Sequence, residues 1–143
     1  MIKRSKTVHE AAILDVWYKA SAIAHDFLGV DTLNIQKDLI KTEYLPQAHT
    51  WIFEENDEIL GFISMLNDCI GGLFIHPAHQ NKKIGTQLID HVKTIYPHLT
   101  VSVYEKNLGA RSFYTKTGFK EVSRAVQTET GEVIIHLKFG VGH

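Results

Sequence analysis

Apolar and polar positions change rhythm along this chain, and the change divides it in two. Before about residue 46 the apolar side chains recur at helical spacing. Ile13, Leu14, Trp17, Ser21 and Ala24 fall on one side of a helix over roughly 8–22. Thr7-Val8-His9-Glu10 has the form of a capping box, a hydroxyl followed three residues later by a glutamate. Ile2 to Ser5 in front of it predicts a short first strand. His25-Asp26-Phe27-Leu28-Gly29 breaks the rhythm, with Gly29 as the stop. A second helix is predicted over roughly 32–44, capped by Asp31 or Thr32 and closed by Pro46.

From His49 onward strand-like runs appear. His49 to Glu54 and Ile59 to Leu66 read as two strands joined by a tight turn at Asn56-Asp57. Ile70 to His76 is a third, and Gly71-Gly72 inside it predicts a bulge or a close approach by a ligand. Ile84, Leu88, Val92 and Ile95 then restore the helical spacing over about 84–96, up to Pro97. Leu99, Val101 and Val103 alternate with Thr100, Ser102 and Tyr104, which gives a strand with two different faces. Asn107 is placed to cap a short helix carrying Ala110, Phe113 and Tyr114, and Gly118 to end it. Phe119 to Val126 and Val133 to Phe139 predict a last hairpin around Thr130-Gly131, with a frayed tail from Gly140 to His143. The order β, α, α, three strands, α, β, α, two strands predicts a mixed-sheet α/β fold with helices on both faces.

Composition narrows the class without choosing a function. At 143 residues the chain has the length of one domain, 1–143, and is long enough to bury a core. A net charge of -1 singles out neither nucleic acid nor membrane as a partner. One cysteine, Cys69, rules out an internal disulfide and fits a reducing compartment. The basic start has no apolar run behind it, and no stretch reaches the roughly 20 apolar residues of a bilayer span. A cytoplasmic protein is the expectation. Nine histidines raise the question of metal, but none has the close paired spacing of a zinc site, so no metal is predicted.

One stretch carries the chemistry. Leu73-Phe74-Ile75-His76-Pro77 is an apolar strand that stops at a proline. A polar loop with Gln80 and two lysines follows, and then a helix. That layout leaves backbone N–H groups unpaired at the helix start, where a phosphate can sit. The loop, Gln80-Asn81-Lys82-Lys83-Ile84-Gly85, lacks the Gly-Lys-Ser/Thr end of an NTPase loop and the Gly-x-Gly start of a dinucleotide fold.

With the strand before it, this loop resembles the central motif of the GNAT-type N-acetyltransferases: Gln or Arg, two residues, Gly, one residue, then Gly or Ala. Asn107-Leu108-Gly109-Ala110-Arg111-Ser112-Phe113-Tyr114, then Gly118-Phe119, resembles the second signature of the same superfamily. Trp17, His25-Asp26-Phe27-Leu28, Tyr44-Leu45-Pro46 and Trp51 resemble a small bacterial subgroup, some of whose members are described as protein-lysine acetyltransferases. The resemblance implies a GNAT-like, partly splayed sheet and acetyl-CoA as co-substrate. It implies that the N–H groups of Gln80, Asn81, Lys82, Lys83, Ile84, Gly85 and Thr86 hold the pyrophosphate. It implies that Leu73, Phe74 and Ile75 hold the pantetheine arm and the acetyl carbonyl, that Asn107 bonds the pantetheine amide, and that Tyr114 protonates the departing thiolate. His25, Phe27 and Leu28 become candidates for the substrate pocket. Lys83 departs from the pattern, standing where the family usually has its first glycine.

The implied reaction moves an acetyl group to a primary amine of a small molecule or a protein, either a lysine or an α-amine. At pH 7 a lysine needs roughly 4.6 kcal/mol to shed its proton and an α-amine roughly 1 kcal/mol, so a base matters. Some relatives carry a glutamate on the strand after the loop helix. Here Ser102 stands in its place, which leaves His76, His25, Glu105 or a water chain. That gap keeps open a second reading, a catalytically silent acyl-CoA sensor or partner module. Exposed strand ends make a homodimer compatible with the pattern.

Overall fold

The pairing of apolar faces fixes the layers. In the computed structural model, which describes residues 1–140, the chain runs β1 (Ile2–Arg4), α1 (Glu10–Ala24), α2 (Val30–Leu39) and β2 (His49–Glu55). It continues through β3 (Glu58–Leu66), β4 (Cys69–Ile75), α3 (Ile84–Lys93), β5 (Leu99–Tyr104), α4 (Leu108–Lys116), β6 (Lys120–Val126) and β7 (Val133–Phe139). One sheet has the order β1-β2-β3-β4-β5-β7-β6. Every pairing is antiparallel except β4 with β5. The predicted tail lies, from residue 141, outside the described residues.

The two helical stripes cover opposite faces. Ile13, Val16 and Trp17 of α1 pack with Leu33 on Ile52 and Phe62. Ile84, Leu88, Ile89 and Val92 of α3 pack on Ile63, Met65, Leu99 and Ile135, with Tyr114 and Phe119 beside them. Trp17 and Trp51 are both core residues.

Several element ends differ from the sequence expectation. The capping box at Thr7 does not form. A 3-10 turn, Thr7–His9, occupies that stretch, and the Lys6 N–H donates to His9 Nδ1. Neither Asp31 nor Thr32 caps α2. Gly29, at φ 83, turns the chain into the helix two residues earlier, and the Leu33 N–H donates to the Gly29 carbonyl. After Leu39 the helix widens into a π turn, Ile40–Tyr44. The helix α3 ends at Lys93, so Ile95 stands 47% exposed instead of on the buried stripe. Asn107 and Gly118 behave as predicted. Asn107 accepts the Ala110 N–H, and Gly118 sits at φ 101. Asn56 and Asp57 both have positive φ, the requirement of a two-residue hairpin turn that follows the sheet's twist.

The feature that makes a site is a split in the sheet. Ser64 faces Gly72 and Met65 faces Ile70, so Gly71 is the extra residue of a bulge in β4. Beyond it β4 bends away from β5. The two strands pair only at Cys69 with Thr100 and at Ile70 with Val101.

Candidate active site

The polar loop after β4 leads from the strand end into α3. Pro77–His79 form a 3-10 turn, held by Ala78 N–H donating to His76 Nδ1. Asn81 (φ 68) and Lys83 (φ 61) then take the left-handed conformation and deliver the chain into α3 at Ile84. Among the described residues, no backbone N–H from Gln80 to Thr86 donates to a protein acceptor. Gln80 Nε2 donates to the Ile75 carbonyl and ties the loop to the strand end. Lys82 Nζ lies 3.2 Å from His79 Nδ1, and His79 Nε2 lies 3.6 Å from a Glu58 carboxylate oxygen. Lys83 and Thr86 are exposed, whereas Ile84 is buried and offers only its main chain. A Cβ at Gly85 would stand 3.4 Å from the Phe113 ring, in ordinary van der Waals contact, so α3 and α4 pack together there without requiring a glycine.

Lys83 does occupy a position that needs positive φ. A side chain in that conformation costs about 1–2 kcal/mol, which glycine would avoid. The row of free N–H groups forms regardless, because it depends on the main-chain path.

The strand end supplies a second set of donors. The His76 N–H donates to the Leu60 carbonyl of β3. Alternation along a strand then sends the Phe74 N–H to β3 as well, and the Leu73 and Ile75 N–H groups to the side where β5 has left. The Phe74 side chain is not part of that edge. It packs against Trp17, Phe62 and His25. Opposite Ile75 stands Gly61, where an added Cβ would meet Ile75 Cδ1 at 2.6 Å and the Phe74 carbonyl at 3.0 Å.

At the split, between β4 and β5 and beneath α1 and α2, lies a cavity of about 790 Å³. Tyr114, Asn107, His25, Leu73 and Phe74 line it together. Tyr114 is 5% exposed. Its burial, with a smaller contribution from Cys69, pushes the phenol pKa up, so the hydroxyl stays a donor through the physiological range. Among the described residues nothing hydrogen-bonds that hydroxyl, although its neighbours Phe113 and Phe119 hold the ring.

Asn107 does two jobs at once. Its Oδ1 accepts the Ala110 N–H at 3.1 Å, and its Nδ2 lies 3.0 Å from His25 Nε2. The cap fixes which end of the amide faces the histidine. His25 Nε2 is therefore the acceptor, and the neutral ring carries its hydrogen on Nδ1. Burial lowers the His25 pKa from 6.5 to about 4, in keeping with a neutral imidazole. The ring packs edge-on against Tyr104, 4.9 Å between centroids, and against Phe27. Phe27 sits behind Tyr104, and Leu28 packs into the α1 core cluster; neither lines the cavity.

A hydrogen-bonded chain across the cavity was not legible in the sequence. Gln36 Nε2 donates to Tyr104 Oη, and Tyr104 Oη–H donates to Gln127 Oε1, which also accepts from Thr130. This joins α2, β5 and the β6–β7 turn. The only available signal was the polar face of β5, where Tyr104 follows Thr100 and Ser102. The exposed Glu129 is the one carboxylate among the lining residues. Among the described residues no group of three or more His, Cys, Asp or Glu side chains is placed to hold a metal ion.

Comparison with known proteins agrees with this geometry. The acetyltransferase (GNAT) domain profile matches residues 28–138. Peptidyl-lysine N-acetyltransferase YiaC of Escherichia coli K12 is 32% identical over 131 residues, covering 91% of this chain and 90% of that protein. The solution structure of apo YjaB from Escherichia coli superposes with a TM-score of 0.87 at 29% identity, covering 100% of this chain and 98% of that one. At 17% identity and a TM-score of 0.79, the PaiA N-acetyltransferase of Thermoplasma acidophilum, solved with coenzyme A, shares the fold over 97% of this chain and 98% of its own. The chain thus belongs to the GNAT acetyltransferase family, and it is an N-acetyltransferase that takes its acetyl group from acetyl-CoA and delivers it to an amine.

Proposed function

We propose that the acceptor is the ε-amine of a lysine in a peptide or protein, and that residues 1–143 act as one catalytic domain. The observation that carries this reading is the cavity. It continues from the split in the sheet to the surface between α2 and the β6–β7 turn. Its walls are mostly apolar or neutral, from Ile35, Leu39, Ile40 and Tyr44 on one side to Gln127 and Thr130 on the other. An apolar wall suits the methylene stem of a lysine, and the Glu129 carboxylate at the rim attracts its ammonium on the way in. The relatives named peptidyl-lysine N-acetyltransferases support the same acceptor, being 30–32% identical over about nine-tenths of this chain.

In this reading the free N–H groups from Gln80 to Thr86 take the pyrophosphate, with Lys82 and Lys83 as counter-charges. The outward N–H groups of Leu73 and Ile75, flanking Phe74, hold the pantetheine amide and polarise the acetyl carbonyl. The nitrogen attacks that carbonyl directly. The tetrahedral intermediate expels the thiolate, and Tyr114 supplies its proton. Asn107 holds His25 as part of the pocket wall, and Phe27 and Leu28 support that wall from behind.

Incubation with acetyl-CoA and a peptide library, read by mass spectrometry, tests the acceptor. Acetyl groups are expected on lysine side chains. Products confined to α-amines or to small amines, with lysine peptides untouched, would overturn the reading.

A further inference from the structure

The acceptor ammonium has to lose a proton, and the fold offers a place for it. In the pairing of β5 with β7, Ser102 stands directly opposite His136, and Ser102 Oγ lies 2.7 Å from His136 Nδ1. Val101 and Val103 are buried on the α3 side with Tyr114, so Ser102 points to the other face; the cavity reaches both faces through the split, and Ser102 and Tyr114 both line it. It is also the first β5 residue beyond the last pair with β4, where the split begins. We propose that Ser102 and His136 form a proton relay that serves as the base for acetyl transfer. The proposal rests on the lysine reading above.

A serine hydroxyl cannot keep a second proton, but it can pass one on. With the imidazole hydrogen on Nε2, Ser102 Oγ–H donates to His136 Nδ1. The ammonium N–H gives its proton to Ser102 Oγ as the hydroxyl proton moves to Nδ1, and the imidazolium later releases a proton to water. The freed amine forms the C–N bond. When the C–S bond breaks, the proton donated to sulfur is balanced by the second one lost from nitrogen. The net products are the acetylated amine, the free thiol and one released proton.

Other titratable groups share this face of the sheet. They are Lys138 on the same strand, Lys120 paired with it on β6, Tyr104 on β5 and Cys69 paired with Thr100, together with His25 packed on Tyr104 and Glu129 on the cavity wall. None of them touches the Ser102–His136 bond. His136 does not itself line the cavity, so it acts through Ser102 as a positioning and relay residue.

The test uses Ser102→Ala, His136→Gln and the double variant, with a lysine peptide and with an amine of low pKa. Each single variant should lower kcat/KM for the lysine peptide roughly ten- to hundred-fold, with acetyl-CoA affinity unchanged. The double variant should be no worse than either single one. His136→Gln should also displace the acidic limb of the pH profile, and the low-pKa amine should lose much less. A His136→Gln enzyme with wild-type kcat/KM and an unmoved acidic limb overturns the relay alone. So do single losses that multiply in the double variant, or a loss of acetyl-CoA affinity as large as the loss of rate. Failure of the unaltered enzyme on every lysine peptide would instead remove the acceptor reading, and the relay with it.

Discussion

His25 makes the stability of this protein depend on pH in a way that one substitution should reveal. The ring is 9% exposed, edge-on to Tyr104, with Nε2 accepting from an amide that cannot turn. Burial lowers its pKa from 6.5 to about 4. The unfolded chain therefore takes up the proton first as pH falls. The stability that a neutral His25 provides is whole above pH 6.5, erodes below it and levels off near pH 4. A shift of that size corresponds to about 3 kcal/mol over the whole range and about 2 kcal/mol at pH 5. Glutamine at this position keeps an acceptor for Asn107 and does not titrate. Urea melts at pH 7.5 and pH 5 should show wild type losing about 2 kcal/mol more than His25→Gln, roughly 1 M in midpoint. The other histidines are common to both proteins, so the difference isolates His25. Equal losses in the two proteins would refute the reasoning.

Three further outcomes follow from the site. Lys83→Gly should raise Tm by about 2–4 °C, because relief of the left-handed strain outweighs the added freedom of the unfolded chain; a lower Tm would contradict it. Tyr114→Phe should cut kcat by roughly 10²-fold or more while calorimetry finds acetyl-CoA affinity unchanged; matched losses would remove the proton-donor role. Gly61→Ala should cost about 1–3 kcal/mol in a denaturant melt and lower kcat/KM, since its Cβ displaces Ile75 and the Phe74 carbonyl. A Gly61→Ala protein with normal stability and rate would show that the β4 edge tolerates the shift.

What could be read from the sequence was local. The alternation from Leu99 to Tyr104, the cap at Asn107, the bulge at Gly71-Gly72 and the loop from Gln80 each depend on neighbours a few residues away, and each was legible. Helix starts were less so. Thr7 and Asp31 offered good caps, but Gly29 and the Lys6–His9 contact set the turns first. The pocket was the least legible part. Gln36 and Tyr104 are separated by 68 residues and His25 and Asn107 by 82. Only the completed sheet and its helical cover bring such pairs together. Ser102 shows the same limit. Taken alone it lacks the carboxylate a base would need, and its partner 34 residues on is visible only once β5 and β7 are in register.

The bulge at Gly71 has an architectural consequence. With only two residue pairs bridging β4 and β5, strands β1 to β4 form one plate and β5, β7 and β6 another, joined along a short seam. Any extended ligand with amide groups that enters the gap takes up main-chain bonds that a neighbouring strand would otherwise make. If the acetyl donor binds there as proposed, it completes the wall it is attached to, and its departure after transfer leaves the two plates held chiefly by that seam and by the side chains beneath it.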